Sequence, residues 1–227
     1  MQWLTDLLML FFPSNCLVCG KRLHAPGAIL CFECEMKMPR TGFEDFDNNP
    51  VSKIFWGRVR VRAGTSLFRF EKGSAYQALL HDLKYRGNRR AGLYLGRLLG
   101  QELKHSSFSD CDLMVPVPLH RLRLKRRGYN QSELIARGAS EITGIPVANN
   151  LLRRKSNLRS QTSMNRQQRF ENMASVFILY DYAPDLHDKK ILIIDDIITT
   201  GATLESCSQV LLSHYKCRIY IATVSYA

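Results

Sequence analysis

The sequence predicts an α/β fold, a mostly parallel sheet flanked by helices, with a small cysteine-rich module at its N-terminal end. Three observations predict it. The apolar runs at residues 113–117 (Leu-Met-Val-Pro-Val) and 191–194 (Ile-Leu-Ile-Ile) show no alternating polar face, as in strands covered on both sides. Stretches with helical apolar spacing lie between such runs. Four of the seven cysteines fall within the first 40 residues, in two Cys-x-x-Cys pairs.

Taken in order, residues 1–40 hold the cysteine pairs, and residues 41–58 open with an acidic, turn-rich stretch that reads as a linker. Residues 59–227 form the main domain. A strand is expected over 59–70, then a helix capped by Ser74 with Tyr76, Leu79, Leu80 and Leu83 on one stripe, and a second helix over 93–103. The strand 113–117 runs into Pro118, and a helix over 130–142 follows through Leu134, Ile135 and Ala139. The turn Gly144-Ile145-Pro146 leads to a strand over 147–152. Further strands are expected over 175–179, 191–194 and 219–224, with a helix over 202–213 between the last two. No internal repeat or low-complexity segment interrupts this order.

With 227 residues, 45% of them hydrophobic, the chain can bury one main core plus a small appendage. The best apolar stretch outside the predicted sheet, residues 3–13, is too short for a membrane span and carries Asp6. It also lacks the basic start and small-residue cleavage site of a signal peptide, so a cytoplasmic location is expected. A formal charge of +12 calls for an anionic partner: nucleic acid, a membrane surface or a small polyphosphate.

Residues 191–203 read Ile-Leu-Ile-Ile-Asp-Asp-Ile-Ile-Thr-Thr-Gly-Ala-Thr. The four apolar residues predict a buried strand, which sets Asp195 and Asp196 at its carboxyl end, where open α/β sheets bind ligands. Thr199, Thr200, Gly201, Ala202 and Thr203 are small and mostly hydroxyl-bearing, and they precede a helix, so backbone N–H groups, hydroxyls and the helix dipole can converge on a phosphate. Carboxylates beside a phosphate cradle need another ligand; ribose hydroxyls, with or without a divalent cation, suit them. A ligand-free capped turn is the plainer alternative.

Two basic segments accompany this site. Residues 116–131 start at the end of a strand and read as a basic loop with five positive charges and no acid, including Arg121, Arg126 and Arg127, with Gly128 permitting close backbone approach. They suit pyrophosphate, or else form a solvated basic face for nucleic acid. Residues 153–170 hold six Lys/Arg and no acid, and Arg159, Gln161 and Arg166 there would sit on a loop closing over a polyphosphate, the alternative being a disordered insertion. Lys84 lies in a third basic turn, with Arg86 and Gly87.

Cys16, Cys19, Cys31 and Cys34 have the spacing of a four-thiolate Zn²⁺ site, closed and therefore structural. A redox pair is disfavoured because no βαβ context surrounds them. His24 lies nearby but is not needed as a ligand. Cys111, Cys207 and Cys217 read as buried small hydrophobes.

The string 191–203 resembles the phosphoribosyl-pyrophosphate motif of type I phosphoribosyltransferases. Together with the cysteine quartet, His81-Asp-Leu-Lys84-Tyr-Arg-Gly87, Pro116-Val-Pro118, Arg127-Gly-Tyr-Asn-Gln131, and Gln161-Thr162 with Arg166, Arg169 and Asn172, it resembles the ComF family of bacterial competence proteins. The resemblance implies a type I phosphoribosyltransferase fold with a zinc knuckle. It further implies 5-phosphoribosyl-1-pyrophosphate, with Mg²⁺, as ligand: ribose on Asp195 and Asp196, the 5′-phosphate on residues 199–203, and pyrophosphate near Lys84, Pro118, Arg121, Arg126, Arg127 and Gly128. A part in DNA uptake follows too. The chain opens Met1-Gln2-Trp3, without the N-terminal cysteine of a glutamine-hydrolysing half, so ammonia-generating chemistry is not expected. Two readings stand side by side. One is a phosphoribosyltransferase, a pentosyl-transferring glycosyltransferase. The other is a non-catalytic factor that senses the phosphoribosyl donor or binds single-stranded DNA and acts through a DNA-uptake protein partner.

Overall fold

The computed structural model describes residues 14–23, 25, 27–155, 176–180 and 183–227. In chain order these form α1 (Phe32–Met36), α2 (Pro50–Lys53), β1 (Val61–Arg69), α3 (Gln77–Tyr85), α4 (Arg89–Lys104), β2 (Leu113–Pro116), α5 (Arg121–Arg127), α6 (Gln131–Thr143), β3 (Leu152–Arg154), β4 (Phe177–Leu179), β5 (Lys190–Ile198), α7 (Ala202–His214) and β6 (Arg218–Tyr226). Four strands make one sheet in the order β1-β6-β5-β2, parallel at every pairing.

Each face of the sheet buries its own core. On one side Leu67, Met114, Leu192, Ile194 and Ala222 meet α3, α4 and α6; on the other Val115, Ile191, Ile193 and Ile221 meet α7 and α2. Because both faces are covered, β5 carries no alternation: Ile191 to Ile194 are all fully buried. Helices α4 and α6 approach at backbone distance. A Cβ added to Gly96 would lie 2.2 Å from the Ile135 carbonyl oxygen, and one on Gly138 2.2 Å from that of Leu93.

Three expectations need correction. Residues 147–152 do not form a sheet strand: only Val147 bridges Met114, and the strand that follows, β3, pairs antiparallel with β4 in a separate two-stranded sheet. Pro146 and the polar Asn149-Asn150 leave too little apolar chain to continue the ladder. Residues 41–58 do not behave as a linker. Asn49 caps α2 by accepting a hydrogen bond from Ser52 N at 2.9 Å, and Pro50 occupies the first helical position. Val51 and Phe55 are fully buried, each contributing roughly 1.5–3 kcal/mol. The acidic run masked this short apolar pattern. The basic stretch after Pro118, read as a loop, folds into α5, capped by His120 at its start and by Gly128 in the left-handed region, φ 74°.

The cysteine-bearing residues also join the main core. Leu23, Ile29, Leu30 and Met38 bury in the cluster that contains Leu67 and Leu79, and Tyr76 Oη donates to the Cys34 carbonyl at 2.7 Å.

Candidate functional site

The loops that meet at the carboxyl ends of β2 and β5 come from crossovers running in opposite directions. After β2 the chain passes through α6 on one face to Val147, on the outer flank of β2; after β5 it passes through α7 on the other face to β6. A crevice between such strands is the ligand position of open α/β sheets.

Asp195 and Asp196 lie here, within β5 rather than beyond it, because the strand continues through Ile198 in register with Tyr226 of β6. Ser132 Oγ, at the start of α6, donates to Asp195 Oδ1 at 2.8 Å, and the same oxygen accepts from the Asp196 backbone N–H at 2.9 Å. Lys84 Nζ, from the last turn of α3, reaches Asp196 Oδ2 at 3.2 Å. Withdrawal from solvent and the neighbouring Asp196 charge push the Asp195 carboxyl up to about 7, although Ser132, the Asp196 N–H and Lys84 pull the other way.

Just beyond, Thr199, Thr200, Ala202 and Thr203 are exposed, while Gly201 is buried. Gly201 caps α7 at φ 73°, and a Cβ there would lie 2.5 Å from Ile54 Cγ2. Arg58 fixes this loop from the α2 side. Its Nη1 donates to the Thr200 carbonyl at 2.8 Å and its Nη2 pairs with Glu205 of α7. The backbone N–H groups that open α7 have no partner within the helix, so they are free for an anion.

The basic residues divide. Pro118 and Arg121 line a cavity of about 840 Å³ between α5 and the β3–β4 hairpin. Arg127 turns the other way, its guanidinium 5.3 Å from the Tyr85 ring centroid, and the Gly128 carbonyl accepts from Arg89 at 2.7 Å. Arg126 is exposed on α5. Arg159, Gln161 and Arg166 lie outside the described residues, as does His24. Sequence reasoning missed Ser132 and Arg58. Ser132 follows a recognised motif but is a common residue at a helix start, and Arg58 sits in a stretch whose packing was not legible.

Beside the start of α3, where Tyr76 bonds the Cys34 carbonyl, the four predicted sulfur ligands converge. The Sγ atoms of Cys16, Cys19, Cys31 and Cys34 all lie within 4.8 Å of one another, and Cys19 and Cys31 are 3.7 Å apart. A tetrahedral zinc with Zn–S of about 2.3 Å requires sulfur separations of about 3.8 Å, so the set fits that ion. Burial and the three neighbouring thiols hold the Cys34 thiol well above its usual range. At Cys16 burial acts in the same direction, but backbone N–H groups of Cys19, Cys31 and Val18 outweigh it and bring the thiol down to about 6. Cys111 and Cys207 are buried and Cys217 is partly so. Among the described residues no helix is long and apolar enough to cross a membrane.

The family model for the phosphoribosyl transferase domain matches residues 89–227. Competence protein F of Haemophilus influenzae is 33% identical over 44% of this chain and 44% of its own length, so the match spans less than half of that protein. DNA utilization protein YhgH of Salmonella typhimurium is 30% identical over 59% of this chain and 60% of its own. Competence protein ComFC of Streptococcus pneumoniae is 26% identical over 87% of this chain and 93% of its own. The parallel sheet, the four-cysteine cluster and these matches agree, and the chain belongs to the phosphoribosyl transferase domain family, in its ComF group of competence proteins.

Proposed function

We propose that the chain binds 5-phosphoribosyl-1-pyrophosphate with Mg²⁺ at the carboxyl ends of β2 and β5, and that it transfers the phosphoribosyl group with release of pyrophosphate. One observation carries this reading: a carboxylate pair, held by Ser132 and Lys84, directly precedes the Gly201-capped start of α7. Asp195 and Asp196 accept hydrogen bonds from the ribose hydroxyls, and residues 199–203 surround the 5′-phosphate with hydroxyls and helix N–H groups. We place the pyrophosphate between Lys84, Arg127 and Gly128 on the α3 side and Pro118, Arg121 and Arg126 on the α5 side, with Lys84 and the arginines carrying the positive charge; Arg159, Gln161 and Arg166 are added to that set from sequence alone. When bound, Mg²⁺ neutralises phosphate charge and orients the leaving group. The protein's own contribution is positioning and electrostatics.

Calorimetric titration of the donor with Mg²⁺ tests this. Binding to the wild type and roughly hundredfold weaker binding to Asp195→Ala or Asp196→Ala is expected, as each variant loses a charge-assisted contact. No binding to the wild type sinks the reading.

The names of the relatives support a role in DNA uptake. A second reading, a single-stranded-DNA-binding factor acting through a protein partner, draws on α5, whose five basic residues stand beside exposed Leu122 and Leu124. Salt-dependent DNA binding that survives Asp195→Ala would favour it, whereas competition by the donor would mean one shared site. The cysteine quartet is proposed as a structural zinc site, with the cytoplasm as the compartment that keeps its thiols reduced.

A further inference from the structure

We infer that the acceptor carries an acidic group, a carboxylate or phosphate, and is held in the cavity between α5 and the β3–β4 hairpin; this rests on the phosphoribosyl-donor reading above. The cavity adjoins the donor site: it shares Pro118 and Arg121 with the segment after β2, and its wall includes Asn130 and Glu133, which flank the Ser132 that holds Asp195. Its volume of about 840 Å³ exceeds the room a single nucleobase needs.

Its chemistry is cationic. Arg121, Arg154 and Lys155 line it, and none of them has a carboxylate partner among the described residues. Among the described residues the one acid on the wall, Glu133, is paired with Arg137 at 2.6 Å. Asn149 and Asn150 add amide donors. A neutral base would want a bare aromatic face to stack on. Tyr180, the ring on this wall, is instead covered by the Arg153 guanidinium at 5.4 Å from its centroid, and Arg154 sits 5.6 Å from that of Phe177. Guanidinium and ammonium groups presented in this way recognise planar carboxylates or phosphates.

The step balances without another reagent. A nitrogen of the acceptor forms the bond to C1 of the ribose as the C1–O bond to pyrophosphate breaks, and the electron pair leaves with pyrophosphate. Where that nitrogen bears a proton, as in orotate or anthranilate, the departing pyrophosphate also takes it; a pyridine nitrogen such as that of nicotinate has none to lose and leaves the product as a pyridinium.

The test measures pyrophosphate release by the full chain, with donor and Mg²⁺, against orotate, nicotinate and anthranilate on one side and adenine, guanine and hypoxanthine on the other. Release with a carboxylated acceptor is expected. Arg154→Gln and Lys155→Gln should each raise its KM about tenfold while leaving donor affinity, read by calorimetry, unchanged. Preference for the neutral bases overturns the inference, as does donor binding with neither binding nor turnover of any acidic acceptor. Displacement of the acidic probe by a short single-stranded oligodeoxynucleotide at the same arginine would also overturn it, by assigning the cavity to a nucleic acid strand. Failure of the donor itself to bind is a distinct result: it removes the phosphoribosyl reading and, with it, the acceptor role, even where an acidic probe still binds.

Discussion

Asp195 carries the sharpest consequence at the scale of single residues. Its folded carboxyl titrates near 7, above the roughly 3.9 of an unfolded aspartate. Its stabilising contribution is therefore complete below about pH 4 and falls as pH rises toward 7, because the unfolded chain releases a proton that the folded chain retains. Asp195→Asn lacks that loss. Thermal melts should show the variant gaining over wild type between pH 4 and 7, with no further gain above. A constant difference across the range would overturn the assignment. Donor binding should run the opposite way, strengthening through neutrality as the carboxylate forms, with proton release visible as buffer-dependent binding enthalpy. Lys84 adds to this as the counter-ion already seated on Asp196. Gly201 makes a second prediction. Its left-handed φ and its contact with Ile54 mean that Gly201→Ala should cost about 2 kcal/mol in urea denaturation, through backbone strain and overpacking together.

Among the elements, α2 and the residues after it form a brace for the phosphate-facing loop. Arg58 joins the Thr200 carbonyl to Glu205 on the first turn of α7, so it aligns N–H groups it does not itself supply. Arg58→Ala should leave circular dichroism unchanged and weaken donor binding about tenfold, while Arg58→Lys restores only part, since an ammonium cannot fork between the two acceptors. Equal affinity in all three proteins would remove the brace from the account. The cysteine module is the second element with a testable role. Elemental analysis should find one zinc per chain, absent in Cys31→Ser. Because Leu23, Ile29 and Met38 share the main core, metal loss should lower the Tm of the whole chain rather than release an independent unit.

Across the whole molecule, legibility in the sequence followed burial on two faces. Ile191 to Ile194 announced a central strand, and Asp195, Asp196 and Gly201 were readable because strand, acid pair and small loop are contiguous in the chain. Ser132, Lys84 and Arg58 were legible only in part or not at all as site residues, since each reaches the site across the fold: Ser132 bonds a carboxylate 63 positions away, and Arg58 a carbonyl 142 positions away. The same reason hid the close crossing of α4 and α6. Both helices begin at the site, α4 with Arg89 on the Gly128 carbonyl and α6 with Ser132 on Asp195, and both touch backbone to backbone through Gly96 and Gly138 further along. Any side chain at that crossing must spread the pair and carry their leading ends with it. A saturation screen scored on ligand binding would therefore group Gly96 and Gly138 with the carboxylates, although neither glycine can ever meet the ligand.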